Sequence, residues 1–186
     1  MKEPILEPLL RKLRLYKVLK QIPNQCVILD IGCGNTASFL RAVSPKIRQG
    51  FGIDFKVSDF ETNNIQIKQH KFQDNLPFQD GYFDVVTMLA VLEHIEKEKE
   101  ILEEVHRVLV PGGKLILTVP SVWSQPVLEF LSYRLKIISE VEIRDHKRYY
   151  NRMKLRNSLI EKAKFSDFYH QYFQFWMNNF CIVVKK

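Results

Sequence analysis

Val27-Ile28-Leu29-Asp30-Ile31-Gly32-Cys33-Gly34-Asn35-Thr36-Ala37 decides the fold. Its first five residues are a short apolar run ended by a glycine, the pattern of a strand buried on both faces. From Thr36 to about Val43 the pattern turns helical. A buried strand that feeds a helix through a glycine turn is the start of a βαβ unit. Glycines at such a turn also let the backbone approach a ligand where a Cβ would clash.

The alternation continues downstream. Gln49 to Asp54 reads as a second strand, Asn64 to Phe72 as a third and Tyr82 to Leu89 as a fourth. Residues 96–109 place Ile101, Leu102, Val105, Val108 and Leu109 on one helical stripe. Pro111-Gly112-Gly113 stops that helix, and Lys114 to Val119 is a fifth strand. Past Ser124 the rhythm breaks. Residues 124–139 read as helical, 140–150 as polar and irregular, and 152–164 as a basic helix with Asn151 as its N-cap. The tail from Phe168 to Lys185 predicts two strands joined by a turn at Asn178-Asn179. The expected fold is α/β: one domain over 1–186, a mostly parallel sheet with helices on both faces, and a C-terminal antiparallel strand pair.

Residues 1–22 form a basic cap helix in this reading. Leu6, Leu9, Leu10, Leu13 and Tyr16 share one face of it. That face is expected to pack on the domain; the competing reading is an interfacial helix drawn to anionic lipid.

The composition, 186 residues with 46% hydrophobic and 26% charged, supports a buried core and excludes a disordered chain. No run approaches the roughly 18 to 20 apolar residues that cross a bilayer. Met1-Lys2-Glu3-Pro4 opens a stretch broken by charges, unlike a signal peptide. The three cysteines, Cys26, Cys33 and Cys181, are odd in number and form no CxxC pair. They predict reduced thiols in a cytoplasmic protein, with no disulfide framework and no metal site. The net charge of +7 is uneven: residues 1–20 carry +4, residues 134–164 carry +6, and the remainder −3. Two basic segments on a slightly acidic body are not a nucleic-acid coat.

Gly32-x-Gly34-x-x-Ala37 satisfies the form of a dinucleotide fingerprint, with Asp54 lying 22 residues beyond Gly32. Asp30 weighs against a dinucleotide. A carboxylate just before the turn repels a pyrophosphate, whereas it attracts the ammonium and sulfonium of S-adenosylmethionine.

With these residues in place, the chain resembles the class I S-adenosylmethionine-dependent methyltransferases, whose Rossmann-like domain has a seven-stranded sheet. Asp30-Ile31-Gly32-Cys33-Gly34 is similar to the family's first motif and Gly52-Ile53-Asp54 to the end of its second strand. Phe72-Gln73-Asp74-Asn75-Leu76-Pro77-Phe78 is similar to its adenine-binding segment. Leu89 to Ile95 and Leu109 to Leu115 match the stretches after the fourth strand and into the fifth. The resemblance implies a cofactor held by Asp30, Gly32, Cys33, Gly34, Asp54, Phe55, Asp74, Asn75, Leu76 and Leu89. Asp54 is expected at the ribose hydroxyls and Asp74 at the exocyclic amine. Thr36 stands where many members have a third glycine, and its hydroxyl is expected to cap the following helix.

Family members often carry a His-x-Arg-Tyr/Phe stretch near the acceptor, and Asp145-His146-Lys147-Arg148-Tyr149 is similar to it. His146 is therefore the expected general base, with Tyr149 beside it. His94, at the carboxyl edge after the fourth strand, is the second catalytic candidate. Segment 121–150 becomes an acceptor-side insertion, and Trp123, Phe130, Tyr133 and Trp176 are candidates to line an apolar acceptor pocket. Leu92-Glu93-His94-Ile95 lacks the Asn/Asp-Pro-Pro-aromatic motif of amino-group nucleic-acid methyltransferases. The expected function is methyl transfer from S-adenosylmethionine to a small-molecule, lipid or glycan acceptor, an anionic one given the basic 134–164 segment. An RNA methyltransferase, an NAD-dependent oxidoreductase and a non-catalytic binder of the same cofactor are the alternatives. Nucleic acid is not favoured as a partner, and peripheral membrane contact is compatible with the basic helix.

Overall fold

The computed structural model describes residues 7–71, 75–129 and 147–186. In chain order the strands are β1 (Val27–Ile31), β2 (Gln49–Asp54), β3 (Phe60–Glu61), β4 (Ile65–Gln69), β5 (Phe83–Leu89), β6 (Leu109–Pro120), β7 (Ser166–Phe173) and β8 (Asn178–Val184). The helices are α1 (Glu7–Leu19), α2 (Ser38–Val43), α3 (Glu98–Val108), α4 (Gln125–Glu129) and α5 (Arg152–Arg156), the last running on as a π turn over Asn157–Lys162.

The strands form one sheet in the order β3-β4-β2-β1-β5-β6-β8-β7. The five central strands, from β4 to β6, are parallel. β8 runs antiparallel to β6, and β7 antiparallel to β8. The chain goes from β1 outward to β2 and β4, then returns to place β5 and β6 on the other side. That reversal between β1 and β5 opens a crevice beyond their carboxyl ends, where open α/β sheets take their ligands.

All five residues of β1 are buried, because helices cover both faces of the sheet. Val27, Leu29 and Ile31 point to the face covered by α3 and α5, whose Ile101, Leu102, Val105, Val108, Leu155 and Leu159 complete that core. Ile28 points to the opposite face, with Phe39, Leu40 and Val43 of α2 and Val18 of α1. Ile101, Leu102, Val105 and Val108 of the stripe read from residues 96–109 are thus the buried face of α3, while Leu109 opens β6. Asn151 caps α5 as expected, its Oδ1 accepting from the Lys154 N–H at 2.9 Å.

Several expectations need correction. The sheet has eight strands among the described residues, the extra one being β3, a two-residue strand antiparallel to β4. Pro111-Gly112-Gly113 does not precede a strand; β6 begins at Leu109, directly after α3, and Gly112 takes φ 78° within it. The turn between the last two strands lies at residues 174–177, not at Asn178-Asn179. Asn179 is fully buried, and its Nδ2 lies 3.1 Å from the Tyr150 carbonyl, to which it donates. An amide so placed ties β8 to the end of β6 and cannot sit at a turn tip. In α1, the face assigned to packing is the exposed one: Leu9, Leu13 and Tyr16 face solvent. Leu15, Val18 and Leu19 are the residues that pack on the sheet. Of the segment read as helical over 124–139, Gln125–Glu129 is helix, and 130–146 lie outside the described residues.

Candidate functional site

The carboxyl end of β1 runs into a turn at Gly32 and Gly34, both left-handed with φ 76° and 66°. A Cβ on Gly32 would meet Val91 Cγ2 at 2.3 Å, so this glycine lets the segment after β5 close against the turn. A Cβ on Gly34 would meet nothing within 4 Å, so the turn faces open space there. The Gly32 N–H donates to the Ile53 carbonyl at 2.8 Å and the Cys33 N–H to the same oxygen at 3.3 Å. The Gly34 N–H donates to Asp54 Oδ2 at 3.0 Å. The amides of Gly32, Cys33 and Gly34 are thereby committed within the protein.

Asp54 ends β2 and is buried. Its Oδ1 accepts from the Lys56 N–H at 3.0 Å while Oδ2 takes Gly34. Each carboxylate oxygen still has a lone pair for a hydroxyl. Asp30 lies one strand over, in register with Gly52 and Thr87. It is 3% exposed, and the Thr87 hydroxyl donates to its Oδ1 at 2.7 Å. Burial pushes the Asp30 carboxyl up to about 7, the Thr87 hydrogen bond pulls it back, and the Asp54 charge adds to the rise. The attraction expected of Asp30 therefore acts from beneath the turn and not from a solvent-facing position. The Cys33 thiol is buried beside both acids and is pushed up to about 12, mainly by burial.

Thr36 does not cap α2. The N-cap is Ala37, in the left-handed region at φ 44°, with no side-chain cap bond. Thr36 is exposed, and its carbonyl accepts from Arg41 Nε at 2.9 Å. Phe55 is half exposed at the mouth of the turn, with Lys56 Nζ 4.7 Å from its ring centroid. Asn75 is exposed and Leu76 buried. Asp74 lies outside the described residues. The loop that follows is held by groups the sequence reading missed. Arg107 on α3 donates to the carbonyls of Leu76 (3.1 Å) and Phe78 (2.8 Å) and to the carboxylates of Glu104 and Asp80 (both 2.7 Å). Glu104 in turn accepts the Leu76 N–H at 2.8 Å. Phe78 and Tyr82 stand edge-on to Phe51 of β2 at 5.7 and 5.6 Å, which seats the loop beside the sheet.

Leu89 ends β5, half-buried, followed by a short 3₁₀ turn at Leu92–His94. His94 is half-buried at this edge. Glu93 beside it is 1% exposed, and its Oε2 has no hydrogen-bond partner. Burial pushes its carboxyl up to about 8, against the pull of the Arg14 charge. The signal for Glu93 was its apolar setting, Val91-Leu92-Glu93-His94-Ile95.

His146, Asp145, Phe130 and Tyr133 lie outside the described residues. The residue after His146, Lys147, donates its N–H to the Glu93 carbonyl at 2.9 Å. Arg148 reaches the carbonyls of Ile95 and Glu96, the latter at 2.8 Å. The Tyr150 hydroxyl donates to Glu98 Oε2 at 3.0 Å. Segment 147–150 is therefore laced to the stretch between β5 and α3. Tyr149 is half-buried within it. Trp123 and Trp176 do not form a closed pocket; they are 66% and 64% exposed. Among the described residues no cluster of three or more His, Cys, Asp or Glu could hold a metal ion. A shallow cleft of about 360 Å³, lined by Asn24, Cys26, Asp84, Pro111 and Lys114 among others, lies at the opposite, amino edge of the sheet. Asp84 there accepts the Val27 N–H at 2.7 Å, a bond that ties β5 to the start of β1.

Comparison with known proteins agrees with this geometry. Residues 29–117 match the family model of a methyltransferase domain. Over 123 residues the chain is 33% identical to a ubiquinone/menaquinone biosynthesis C-methyltransferase of Vibrio parahaemolyticus, covering 56% of this chain and 44% of the relative. It is 30% identical over 112 residues to a demethylmenaquinone methyltransferase of Geobacillus, covering 54% and 46%. The match thus spans somewhat under half the length of these relatives. Among solved structures, an S-adenosylmethionine-dependent methyltransferase from Mesorhizobium loti superposes with a TM-score of 0.70 at 14% identity, covering 92% of this chain and 98% of that one. A phosphoethanolamine N-methyltransferase of Haemonchus contortus in complex with S-adenosylmethionine gives 0.68 at 16%, covering 94% and 52%.

Proposed function

We propose that the chain is a class I S-adenosylmethionine-dependent methyltransferase, which the methyltransferase-domain match over residues 29–117 supports, and that it transfers a methyl group from S-adenosylmethionine to a small-molecule acceptor with an aromatic or lipid-like body. The carrying observation is the glycine turn, open over Gly34 and flanked by the carboxylates of Asp30 and Asp54, with the amides of Gly32, Cys33 and Gly34 already bonded. Such a turn suits a cationic nucleoside and disfavours a pyrophosphate, which needs free N–H donors and suffers from nearby carboxylates. That weighs against the oxidoreductase reading. The acceptor class is suggested by the quinone-pathway relatives, and the basic residues after 147 favour an acceptor bearing negative charge.

When bound, the donor supplies a methyl group activated by its positive sulfur. Asp54 accepts the ribose hydroxyls with its remaining lone pairs, and Asp30 supplies the attracting charge under the turn. Leu76 and Phe55 form apolar walls for the base, and Asp74 and Asn75 receive its polar edge. Direct displacement needs alignment above all, and the chain's part is to hold two partners in line and keep water out. Where the acceptor must lose a proton, His94 and His146 are the candidates to take it, and Glu93 lies buried next to His94. The whole domain, 1–186, acts as one unit, with segment 121–150 on the acceptor side.

Two measurements test this. Calorimetric titration should give binding of S-adenosylmethionine and none of NAD, and Asp54→Ala should weaken the former at least tenfold. Incubation with methyl-labelled donor and fractionated cell extract should place label in the lipid or small-molecule fraction. Saturable NAD binding, or label confined to RNA, overturns the reading.

A further inference from the structure

The carboxyl edge of the sheet carries exposed apolar side chains that the methyl-transfer reading leaves unused. The turn between β7 and β8 holds three consecutive non-glycine residues, Gln174, Phe175 and Trp176, in the left-handed region at φ 52°, 55° and 62°. Side chains other than glycine rarely adopt that conformation, and strain of this kind persists only where the surroundings impose it. The surroundings here are specific. Gln174 Nε2 donates to the Leu10 carbonyl of α1 at 2.8 Å, and the Ser121 N–H donates to the Met177 carbonyl at 2.9 Å. The result is a turn that presents Phe175 (96% exposed) and Trp176 to solvent.

Trp123 follows Ser121 closely and is exposed beside the turn. Leu9 and Leu13 of α1, the unpacked stripe, flank Leu10, which the turn grips. Met153 is 81% exposed, and the neighbouring Arg152 N–H donates to the Tyr172 hydroxyl near the end of β7. Around these apolar groups lie exposed basic side chains, Arg11 and Lys12 on α1 and Arg152 and Lys154 on α5, while Lys147 is paired with the exposed Glu96 at 3.2 Å.

We propose that this edge is a docking surface for a bilayer containing anionic lipid, with Phe175, Trp176 and Trp123 entering the interface and the surrounding Lys and Arg meeting the headgroups. Charge complementarity selects this occupant: a self-complementary dimer would set the basic rims of two copies against each other. Aromatic side chains with one polar end settle at the membrane–water boundary, and cations around them add attraction that salt screens. No helix among the described residues is long and apolar enough to cross a membrane, so the contact is peripheral. The surface lies at the same sheet edge as the glycine turn, so a membrane-dissolved acceptor would reach the site without passing through water.

The chain has two tryptophans, both in this surface, so its tryptophan emission reports on this face alone. The full chain is mixed with vesicles of phosphatidylcholine, or of phosphatidylcholine with phosphatidylglycerol, and scored by co-sedimentation and tryptophan emission. Expected are binding to the anionic vesicles only, a blue shift on binding, and release by added salt. The double variant Phe175→Ser/Trp176→Ser should lower the partition coefficient about tenfold or more, and Lys12→Glu/Arg152→Glu should do the same while leaving the thermal midpoint in place. Absence of binding to anionic vesicles, or binding without change in emission, overturns the proposal. So does a vesicle-independent dimer that Phe175→Ser disperses, which would assign the surface to a second copy. Vesicle binding is read without turnover, so its failure would leave the methyl-transfer reading standing.

Discussion

Replacing Glu93 by Gln should flatten the dependence of stability on pH. Glu93 is fully enclosed in the 3₁₀ turn after β5, with one carboxyl oxygen lacking any partner. Its carboxyl is raised from the ordinary 4.5 to about 8 in the fold, chiefly because burial penalises the charge. The sign follows from proton linkage. Between those two values the native chain binds more proton than the unfolded chain, so stability is full below about pH 4.5 and falls as pH rises towards 8. At about 1.4 kcal/mol per pH unit, the ionisation of Glu93 removes about 4 kcal/mol of stability between about pH 5 and pH 9. Asp30, raised to about 7, acts in the same direction and is still titrating up to about pH 8. Asp30 is present in both the parent chain and Glu93→Gln, so the difference between their curves belongs to Glu93. Urea unfolding of the parent chain and of Glu93→Gln across this range, followed by circular dichroism, measures the difference. The two stabilities should nearly coincide at the acid end and diverge at the alkaline end, the variant being the more stable. Parallel curves would show that Glu93 ionises normally and that the enclosure described here is wrong.

Affinity for S-adenosylmethionine should rise with pH up to about 7 and level off above, because a cationic ligand beside Asp30 favours its ionised form; Asp30→Asn should bind weakly and lose that dependence in calorimetric titration. Gly32→Ala forces a Cβ to 2.3 Å from Val91 Cγ2 at a left-handed φ. It should cost about 2–4 kcal/mol in urea unfolding, and Val91→Ala in the same chain should recover part of that loss. A native chain treated with a thiol-specific reagent should react at none of its three cysteines, since Cys26, Cys33 and Cys181 are buried and burial raises each thiol. Reaction should appear with the unfolding transition, and a fast-reacting thiol before it would refute the burial of the glycine turn.

What the sequence disclosed was whatever depends on neighbours along the chain. The apolar run at Val27 to Ile31, the stripe of α3 and the Asn151 cap are local patterns, and each appears where the pattern put it. Of the two apolar stripes in α1, sequence alone could not say which one the sheet would cover; Phe180 and Phe173, distant in the chain, made the choice in favour of Leu15, Val18 and Leu19. Asn178-Asn179 carries the composition of a turn, yet Asn179 is used as a buried donor to a carbonyl 29 positions earlier. Arg107 gave no signal, since its backbone partners lie 29 and 31 positions away. In the site, the acids flanking the turn were legible because their order along β1 and β2 fixes their place at the sheet edge. Glu93 was passed over for His94, because a histidine advertises its titration in sequence whereas a carboxyl acquires an unusual one only through burial.

Those long-range arginines bear on how the two halves of the site are kept in line. Near the C-terminal end of α3, Arg107 holds the loop that follows β4 by the carbonyls of Leu76 and Phe78. Just ahead of its N-terminal end, Arg148 grips the carbonyls of Ile95 and Glu96, and in its first turn Glu98 takes the Tyr150 hydroxyl. The donor-side loop and the segment leading into α5 thus hang from opposite ends of one helix of 11 residues, about 16 Å long. Four buried side chains, Ile101, Leu102, Val105 and Val108, fasten that helix to the sheet. A displacement reaction depends on the distance and angle between its two partners more than on any single acid or base. A short helix pinned to the core and clamped at both ends is a means of fixing that distance while the loops themselves stay irregular.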